Sequence, residues 1–168
     1  MIEDVTQFAA DVRVRPAGPQ DIDFIVESNR RMAFETERLS LDAEVLSRGV
    51  RAVIADASKG VYLIGTVGGV AAGQLMITYE WSDWRDGCIW WIQSVYVSPE
   101  FRRRGVFKAI YRHAEELARD AGAIGLRLYV EAHNAAAQAT YQRLGMIRSP
   151  YLVMSAMWGN PGSRTGGD

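Results

Sequence analysis

Three features in the second half of this 168-residue chain are suited to chemistry. A basic segment with one glycine runs from Arg102 to Lys108, between an apolar run and an amphipathic helical pattern. A strand that leads through such a loop into a helix presents free backbone N–H groups and the positive end of the helix dipole, and both bind anions such as phosphate. Asn134 and, seven residues later, Tyr141 add an amide and a phenol. The spacing predicts a phosphate-binding loop and a second element that supplies polar groups.

Strands and helices must position these groups, and the sequence patterns indicate their order. Residues 89–97 are apolar on both faces for most of their length, which places this strand centrally in a sheet. Gly68 and Gly69 between two apolar runs are typical of a two-residue hairpin. Asp42 is a candidate N-cap for the second helix. We predict strands over 12–15, 61–67, 70–79, 89–97, 126–130 and 151–158, and helices over 19–37, 43–53, 104–121 and 135–144.

Composition and charge are those of one globular domain. Hydrophobic residues make up 48% and charged residues 23% of the chain, and the net charge of −1 argues against nucleic acid or an anionic membrane as a partner. The single cysteine, Cys88, excludes an internal disulfide and fits a reducing compartment. No apolar run approaches the ~20 residues that a membrane span needs. We expect a cytoplasmic protein with a leader over 1–10, a domain over 11–158 and a flexible tail over 159–168.

The segment from Arg102 to Phe107 resembles the Gln/Arg-x-x-Gly-x-Gly/Ala motif of the GCN5-related N-acetyltransferase (GNAT) family. Residues 134–145 match the family's Asn-x-x-Ala-x-x-x-Tyr-x-x-x-Gly pattern, and the resemblance covers about residues 12–158. It implies an α/β (α+β) fold in which helices flank a mixed, mostly antiparallel sheet with splayed central strands. It also implies acetyl-CoA as co-substrate and transfer of acetyl to an amine. Phe107 departs from the Gly/Ala at the end of the motif.

The resemblance further implies a role for each matching residue. Tyr141 is the general acid toward the leaving thiolate, which suits a phenol whose ordinary pKa of about 10 keeps it protonated. A backbone amide of the splayed strand, at Val95 or a neighbour, is the oxyanion donor. The loop amides hold the pyrophosphate, the splayed strand pairs with the pantetheine arm, and Asn134 contacts the coenzyme. The implied coenzyme-binding residues are Val95, Tyr96, Val97, Arg102, Arg103, Arg104, Gly105, Val106, Phe107, Lys108 and Asn134.

The general base and the acceptor site follow from carboxylates and tryptophans. Glu80, at the end of a predicted strand, is our first candidate for the base, ahead of Asp83, Asp86, Glu35 and Glu37. Aromatic faces and carboxylates together suit a cationic amine. We therefore predict a small-molecule amine or a protein amine as acceptor, transfer within a ternary complex, and no metal. The predicted acceptor contacts are Glu35, Trp81, Asp83 and Trp84.

Each of these features also has a purely structural interpretation. The three arginines at 102–104 fit a solvated charge run, Asn134 fits a helix N-cap, and Tyr141 fits core packing. Trp90 and Trp91 would then pack on opposite faces of their strand. A non-catalytic acyl-CoA-binding module or sensor is the alternative function, and a nucleic-acid binder is a second one. The apolar segment over 151–154 suggests a homodimer interface or a covered edge strand.

Overall fold

The computed structural model describes residues 12–158. Its helices and strands follow the predicted order as far as the last helix. Three short 3-10 turns lie at Pro19–Asp21, Asp83–Arg85 and Pro99–Phe101. The elements are β1 (Val12–Pro16), α1 (Ile22–Glu37), α2 (Ala43–Ala55), β2 (Val61–Val67), β3 (Val70–Ser82), β4 (Gly87–Val97), α3 (Val106–Asp120), β5 (Gly125–Leu128) and α4 (Ala135–Arg143). The predicted leader and tail lie outside the described residues.

The sheet has five strands in the order β1-β2-β3-β4-β5. Strands β1 to β4 are antiparallel neighbours, and β5 lies parallel to β4. The predicted hairpin at Gly68 and Gly69 joins β2 to β3. The side chain of Asp42 caps α2 as predicted, by accepting hydrogen bonds from the amides of Glu44 and Val45, both at 2.9 Å. A mixed, mostly antiparallel sheet flanked by helices confirms the predicted fold class.

Helices cover both faces of the sheet, because β2 and β3 carry runs of consecutive buried residues, whose side chains lie on both sides. On one face, Ile110 and Ala114 of α3 pack against Leu63 and Leu75 of the sheet. On the other face, α1 and α2 bury a second cluster against β2. Hydrophobic burial at about 25 cal/mol per Å² of apolar surface makes these two layers the main stabilising contribution. No helix within residues 12–158 has the length and apolar composition needed to cross a bilayer.

Strand β4 contains a β-bulge near its carboxyl end. Ser94 and Val95 together face the single residue Leu75 of β3, so the ladder between these strands shifts by one residue. Ser94 has a φ of 50°, a left-handed conformation that is uncommon outside glycine. The extra residue of a bulge is left out of the ladder, which frees backbone hydrogen-bonding groups there.

The carboxyl half of β4 is also open on its other edge. Strand β5 pairs with β4 over Ile89–Ile92, and residues 93–97 have no strand beside them on that side within the described part of the chain. The two parallel strands therefore separate just before the bulge, which confirms the predicted splay. Unpaired N–H and C=O groups along this edge can pair with an extended ligand.

The predicted strand over 151–158 is wrong: these residues form no helix or strand in the structure. Their large apolar side chains are exposed, with Met154 at 94% and Val153 at 64% of full accessibility. Apolar and β-branched residues give a segment the capacity to pair, but a strand forms only where a sheet edge offers partners. The expected interface at 151–154 stays a prediction.

Candidate active site

The predicted phosphate loop leads from the end of β4 into α3. Gly105 is the N-cap of α3 with a φ of 79°, and apart from its two neighbours in the chain no described residue has an atom within 4 Å of the position that a Cβ would take there. Arg103 also has a positive φ, of 63°, and the side chains of Arg103 and Arg104 are exposed. The first amides of α3 therefore face an open surface that carries positive charge, which is an anion-binding arrangement.

Arg102 differs from Arg103 and Arg104 because its guanidinium is hydrogen bonded within the described part of the protein. Its Nη2 donates to the Glu35 carboxylate at 2.6 Å, and its Nε donates to the Val97 carbonyl at 3.0 Å. The guanidinium also lies over the ring of Tyr96, 5.5 Å from the centroid, and the Tyr96 hydroxyl donates to Glu35 at 3.0 Å. This cluster ties the end of α1 to the end of β4.

The pKa of the Glu35 carboxyl lies below its usual range. Partial burial acts to raise this pKa, but the hydrogen bonds from Arg102 and Tyr96, together with the charges of Arg102 and Arg31, outweigh burial and lower it. Glu35 is therefore a carboxylate at neutral pH, next to the strand end where the bulge lies.

Tyr141 of α4 contacts Phe107, which lies in the first turn of α3. The two rings meet edge to face with centroids 5.7 Å apart, and Phe107 also contacts Tyr111 at 6.0 Å. Within residues 12–158 the Tyr141 hydroxyl has no hydrogen-bond partner, and burial raises the pKa of this phenol. A protonated phenol without a protein partner is available to donate to a ligand.

The first turn of α3 contacts both the sheet and Tyr141. Val106 packs onto the sheet so closely that a Cβ on Gly73 would lie 3.1 Å from its Cγ1 and 2.9 Å from the Tyr96 carbonyl oxygen. Phe107, the next residue, contacts Tyr141. One helical turn therefore links the phosphate loop, the open strand edge and the phenol.

Comparisons with known proteins identify the family of this chain. The model of the Acetyltransferase (GNAT) family matches residues 24–146. The chain belongs to the GNAT family. The family predicted from the Arg102–Phe107 and Asn134–Gly145 motifs is thus confirmed.

Solved structures and one curated relative support the same assignment. A possible acetyltransferase from Clostridium difficile 630 is 40% identical to this chain, with a TM-score of 0.82. The match covers 89% of this chain and 99% of that protein. The aminoglycoside N-acetyltransferase AAC(6')-Iy in complex with CoA shares the fold at 15% identity and a TM-score of 0.70. The match covers 87% of this chain and 94% of that protein. Thialysine N-epsilon-acetyltransferase of Caenorhabditis elegans is 31% identical over 95 residues, which is 56% of this chain and 57% of that relative. The chain therefore matches little more than half the length of this relative.

Phe107 stands where the GNAT motif has Gly or Ala, and the structure explains how the loop accommodates it. The ring is directed toward Tyr111 and Tyr141, so its bulk fills the space between α3 and α4. The backbone next to Gly105 remains open on the described surface. The phenylalanine ring thus packs against the Tyr141 phenol and leaves the Cβ position of Gly105 open.

Phe107→Ala is expected to lower kcat about tenfold and to change the Kd for acetyl-CoA less than about threefold. The substitution removes a contact of Tyr141 but keeps every backbone amide of the loop. Calorimetric titration with acetyl-CoA and steady-state kinetics on the same preparation measure the two effects. A variant that loses coenzyme affinity as strongly as kcat would show that Phe107 shapes the loop itself.

Asn134 fulfils the structural role that its position also suggested. Its Oδ1 accepts a hydrogen bond from the Ala137 amide at 3.0 Å and so caps α4. Its side-chain amide nitrogen has no acceptor among residues 12–158. A donor directed away from the helix start is compatible with the coenzyme contact that the family implies, which stays a prediction.

Glu80 is hydrogen bonded within the sheet. It accepts from the Trp91 indole N–H, and the Arg127 guanidinium contacts both carboxylate oxygens, at 2.8 and 3.1 Å. Glu80 is paired with Ile89, five residues or about 16 Å along β4 from Ser94. To act as a base it would have to work over this distance and exchange one of its present partners.

The tryptophans near Glu80 do not form one cage. Trp90 packs edge to face on Tyr79, whereas Trp91 stacks on Tyr129, and consecutive residues of β4 point to opposite faces. Trp81 and Trp84 lie at the far hairpin and are 65% and 85% exposed. The structure does not bring these two residues to the bulge.

Asp83 belongs to the same hairpin, where its Oδ1 accepts a hydrogen bond from the Trp84 amide at 2.9 Å. Among the predicted acceptor contacts, the structure brings only Glu35 near the bulge within the described residues. Sequence reasoning missed Gln74, Asn29, Arg127 and Tyr129, although a glutamine within the apolar run over 71–77 is a signal of a buried polar role. No group of three or more His, Cys, Asp or Glu side chains in residues 12–158 is arranged to hold a metal ion.

Proposed function

We propose that this protein is an acetyl-CoA-dependent N-acetyltransferase that transfers acetyl directly to the primary amine of a small molecule. The observation that carries the proposal is the open edge of β4 at its bulge. The phosphate loop follows this strand, and Phe107, in the first turn of α3, contacts Tyr141. An anion site, an extended edge and a phenol are what a long phosphorylated thioester and its reaction need. Family membership supports acetyl-CoA as the acetyl donor, and the geometry supports the choice of residues that would bind it.

The residues of this chain fit coenzyme A. The amides of Arg103 to Lys108 would hold the pyrophosphate, because Gly105 leaves the backbone bare and α3 begins there. The open edge over Val95, Tyr96 and Val97 would pair with the pantetheine arm. Bound acetyl-CoA would supply an activated acetyl thioester. Arg102 would have to leave Glu35 to reach a phosphate, so we assign it to the α1–β4 connection.

Two groups of the protein would stabilise the negative charges that develop during acetyl transfer. The Val95 amide at the bulge would donate to the carbonyl oxygen as that oxygen gains negative charge, which is worth roughly 10²–10³ in kcat for one such donor. Tyr141 holds the proton that a departing thiolate needs, and burial keeps that proton on the phenol by raising its pKa.

Direct transfer is the simpler route for this site. Cys88, the only cysteine of the chain, lies seven residues before Val95 on β4, and its Sγ is 3.9 Å from the Ile89 carbonyl oxygen. A thiol so far along the strand cannot attack a carbonyl carbon at the bulge. The acceptor amine would therefore attack in a ternary complex without an acyl-enzyme.

The acceptor is proposed to be a primary alkyl amine. The carboxylate of Glu35 lies close to the bulge and would attract an ammonium group. The relative from Caenorhabditis elegans is named for acetylation of an N-epsilon amine, which supports the same acceptor class.

Glu80 is proposed to accept the amine proton through water. Thr78 and Gln93 lie between Glu80 and the bulge on the same face, and they are joined by a hydrogen bond of 2.6 Å. Glu80→Gln should lower kcat/KM about tenfold at neutral pH, and the deficit should shrink toward pH 10 because the free amine is then neutral without a base. A pH profile of acetyl transfer measures this. Arg127→Gln, which breaks the same ion pair but keeps the carboxylate, should not show the pH-dependent recovery.

The test of the proposed function is acetyl-CoA-dependent thiol release across a panel of alkyl diamines, polyamines, amino acids and aminoglycosides. Turnover with one class of primary amine is expected, together with the acetylated product by mass spectrometry. Coenzyme binding with no turnover on any amine would instead favour a non-catalytic acyl-CoA-binding module.

A further inference from the structure

A network of buried polar side chains lies beneath the β4 bulge. Gln74 of β3 is fully buried, and Asn29 of α1 and Tyr62 of β2 are each 4% exposed. The Gln74 Nε2 donates to the Asn29 Oδ1 at 2.7 Å and to the Ser94 carbonyl oxygen at 3.2 Å. The Asn29 Nδ2 in turn donates to the Tyr62 hydroxyl at 3.3 Å. Through Gln74, hydrogen bonds thus connect side chains of three elements to one backbone carbonyl of the bulge.

Both N–H groups of the Gln74 amide are used by this network, which fixes the orientation of the amide. Its Oε1 is left buried without a hydrogen-bond partner among the described residues. A buried acceptor without a donor destabilises the folded state, so packing alone would favour an apolar side chain at this position. Gln74 is therefore better explained by what its Nε2 holds than by stability.

The Ser94 carbonyl sets the direction of the Val95 amide. The peptide bond between these two residues is planar and trans, so its C=O and its N–H point in opposite directions. Gln74 lies on β3, on one side of β4, and holds the Ser94 carbonyl on that side. The Val95 N–H is then directed toward the other side, where β4 has lost β5 and its edge is open.

We propose that Gln74 is a positioning residue, which fixes the Val95 amide toward the open edge by holding the Ser94 carbonyl. The left-handed φ of 50° at Ser94 makes this support necessary, since a serine is strained in that conformation and would relax if the peptide plane were free to turn. The contribution of Gln74 to acetyl transfer rests on the proposed function. Its effect on the backbone does not.

The test compares Gln74→Met with Asn29→Leu. Methionine is close to glutamine in size and shape and removes the bond to Ser94, whereas Asn29→Leu breaks the same buried network and leaves that bond in place. Gln74→Met should lower kcat about 30- to 100-fold, because a small misplacement of a donor costs about 10²-fold. Asn29→Leu should lower kcat less than about threefold, although its loss of thermal stability should be similar to that of Gln74→Met.

The ¹⁵N order parameter of the Val95 amide, measured by NMR relaxation in the apo protein, tests the backbone effect without turnover. It should stay near the value of about 0.85 for rigid backbone in Asn29→Leu and fall below about 0.6 in Gln74→Met, because the peptide plane of the bulge is no longer held. Equal order parameters and equal kcat losses in the two variants would overturn the proposal. If the wild-type protein acetylates no amine, the proposed function fails, and the comparison of order parameters still decides the role of Gln74.

Discussion

Tyr141→Phe is expected to lower kcat for acetyl transfer about 100-fold and to leave the KM for acetyl-CoA within about threefold of the wild-type value. The substitution removes the proton donor and keeps the ring that packs edge to face on Phe107. Loss of an interaction used in the transition state lowers kcat without weakening ground-state binding. Steady-state thiol release at saturating amine measures both parameters.

Tyr111→Phe is the matched control. Tyr111 also contacts Phe107 and is buried, at 3% exposure, so the two variants perturb the same aromatic cluster. Only Tyr141 has been assigned to the reaction, and Tyr111→Phe should keep kcat within about threefold. Equal losses in the two variants would show that the cluster matters for packing and that Tyr141 is not the acid.

The same assignment fixes the sign of the pH dependence. Burial raises the pKa of Tyr141, and the active form is the protonated phenol, so the contribution of Tyr141 persists to a higher pH than an exposed tyrosine would allow. The rate should therefore show no fall due to Tyr141 until the pH exceeds about 10, the ordinary pKa of tyrosine. A decline that is present in the wild type below that pH and absent in Tyr141→Phe would contradict this assignment.

Gly105→Val is expected to raise the Kd for acetyl-CoA about 30-fold. A β-branched residue is strained at a φ of 79°, so the loop would relax and redirect the first amides of α3. The added side chain would also stand on the open surface that the pyrophosphate must approach. Calorimetric titration with coenzyme A measures the effect without any acceptor.

Gly122→Val is the control that separates backbone strain from the loss of coenzyme affinity. Gly122 lies past the other end of α3 with a φ of 73°, and apart from its two neighbours in the chain no described residue has an atom within 4 Å of its Cβ position. Both variants should lose about 1–2 kcal/mol of stability from backbone strain. Only Gly105→Val should lose coenzyme affinity, whereas equal Kd values in the two variants would place the pyrophosphate elsewhere.

The elements that carry the site could be predicted because their signals are local. The strand over 89–97, the Arg102–Gly105 loop and the amphipathic face of α3 are each encoded in one continuous stretch, and β4 and α3 begin within two residues of the predicted positions. The N-caps at Asp42 and Asn134 follow from side-chain chemistry at a helix start in the same way.

Features that depend on register could not be predicted from the sequence. The bulge at Ser94 arises from how β4 aligns with Leu75 of β3, and no residue type near Ser94 signals it. Glu80 and Arg127 meet because β5 pairs Arg127 with Trp91, a contact between residues far apart in the chain. A site built from cross-strand neighbours becomes visible only when the ladders are known.

The wrong strand over 151–158 and the direction of Phe107 have a similar cause. An apolar alternating segment shows that pairing is favourable, but it does not specify which edge is available. The motif position of Phe107 suggested bulk at the phosphate loop, whereas contact with Tyr141 requires the placement of α4 beside α3. In both cases the deciding partner lies in another element.

Mass spectrometry distinguishes direct acetyl transfer from an acyl-enzyme route when the protein is mixed with excess ¹³C-acetyl-CoA, first without and then with the best amine of the panel. We expect the protein mass to stay unchanged without amine, and the label to appear on the amine nitrogen within one turnover after the amine is added. A labelled protein that later passes its acetyl group to the amine would contradict direct transfer, and an unlabelled amine with bound coenzyme would contradict catalysis.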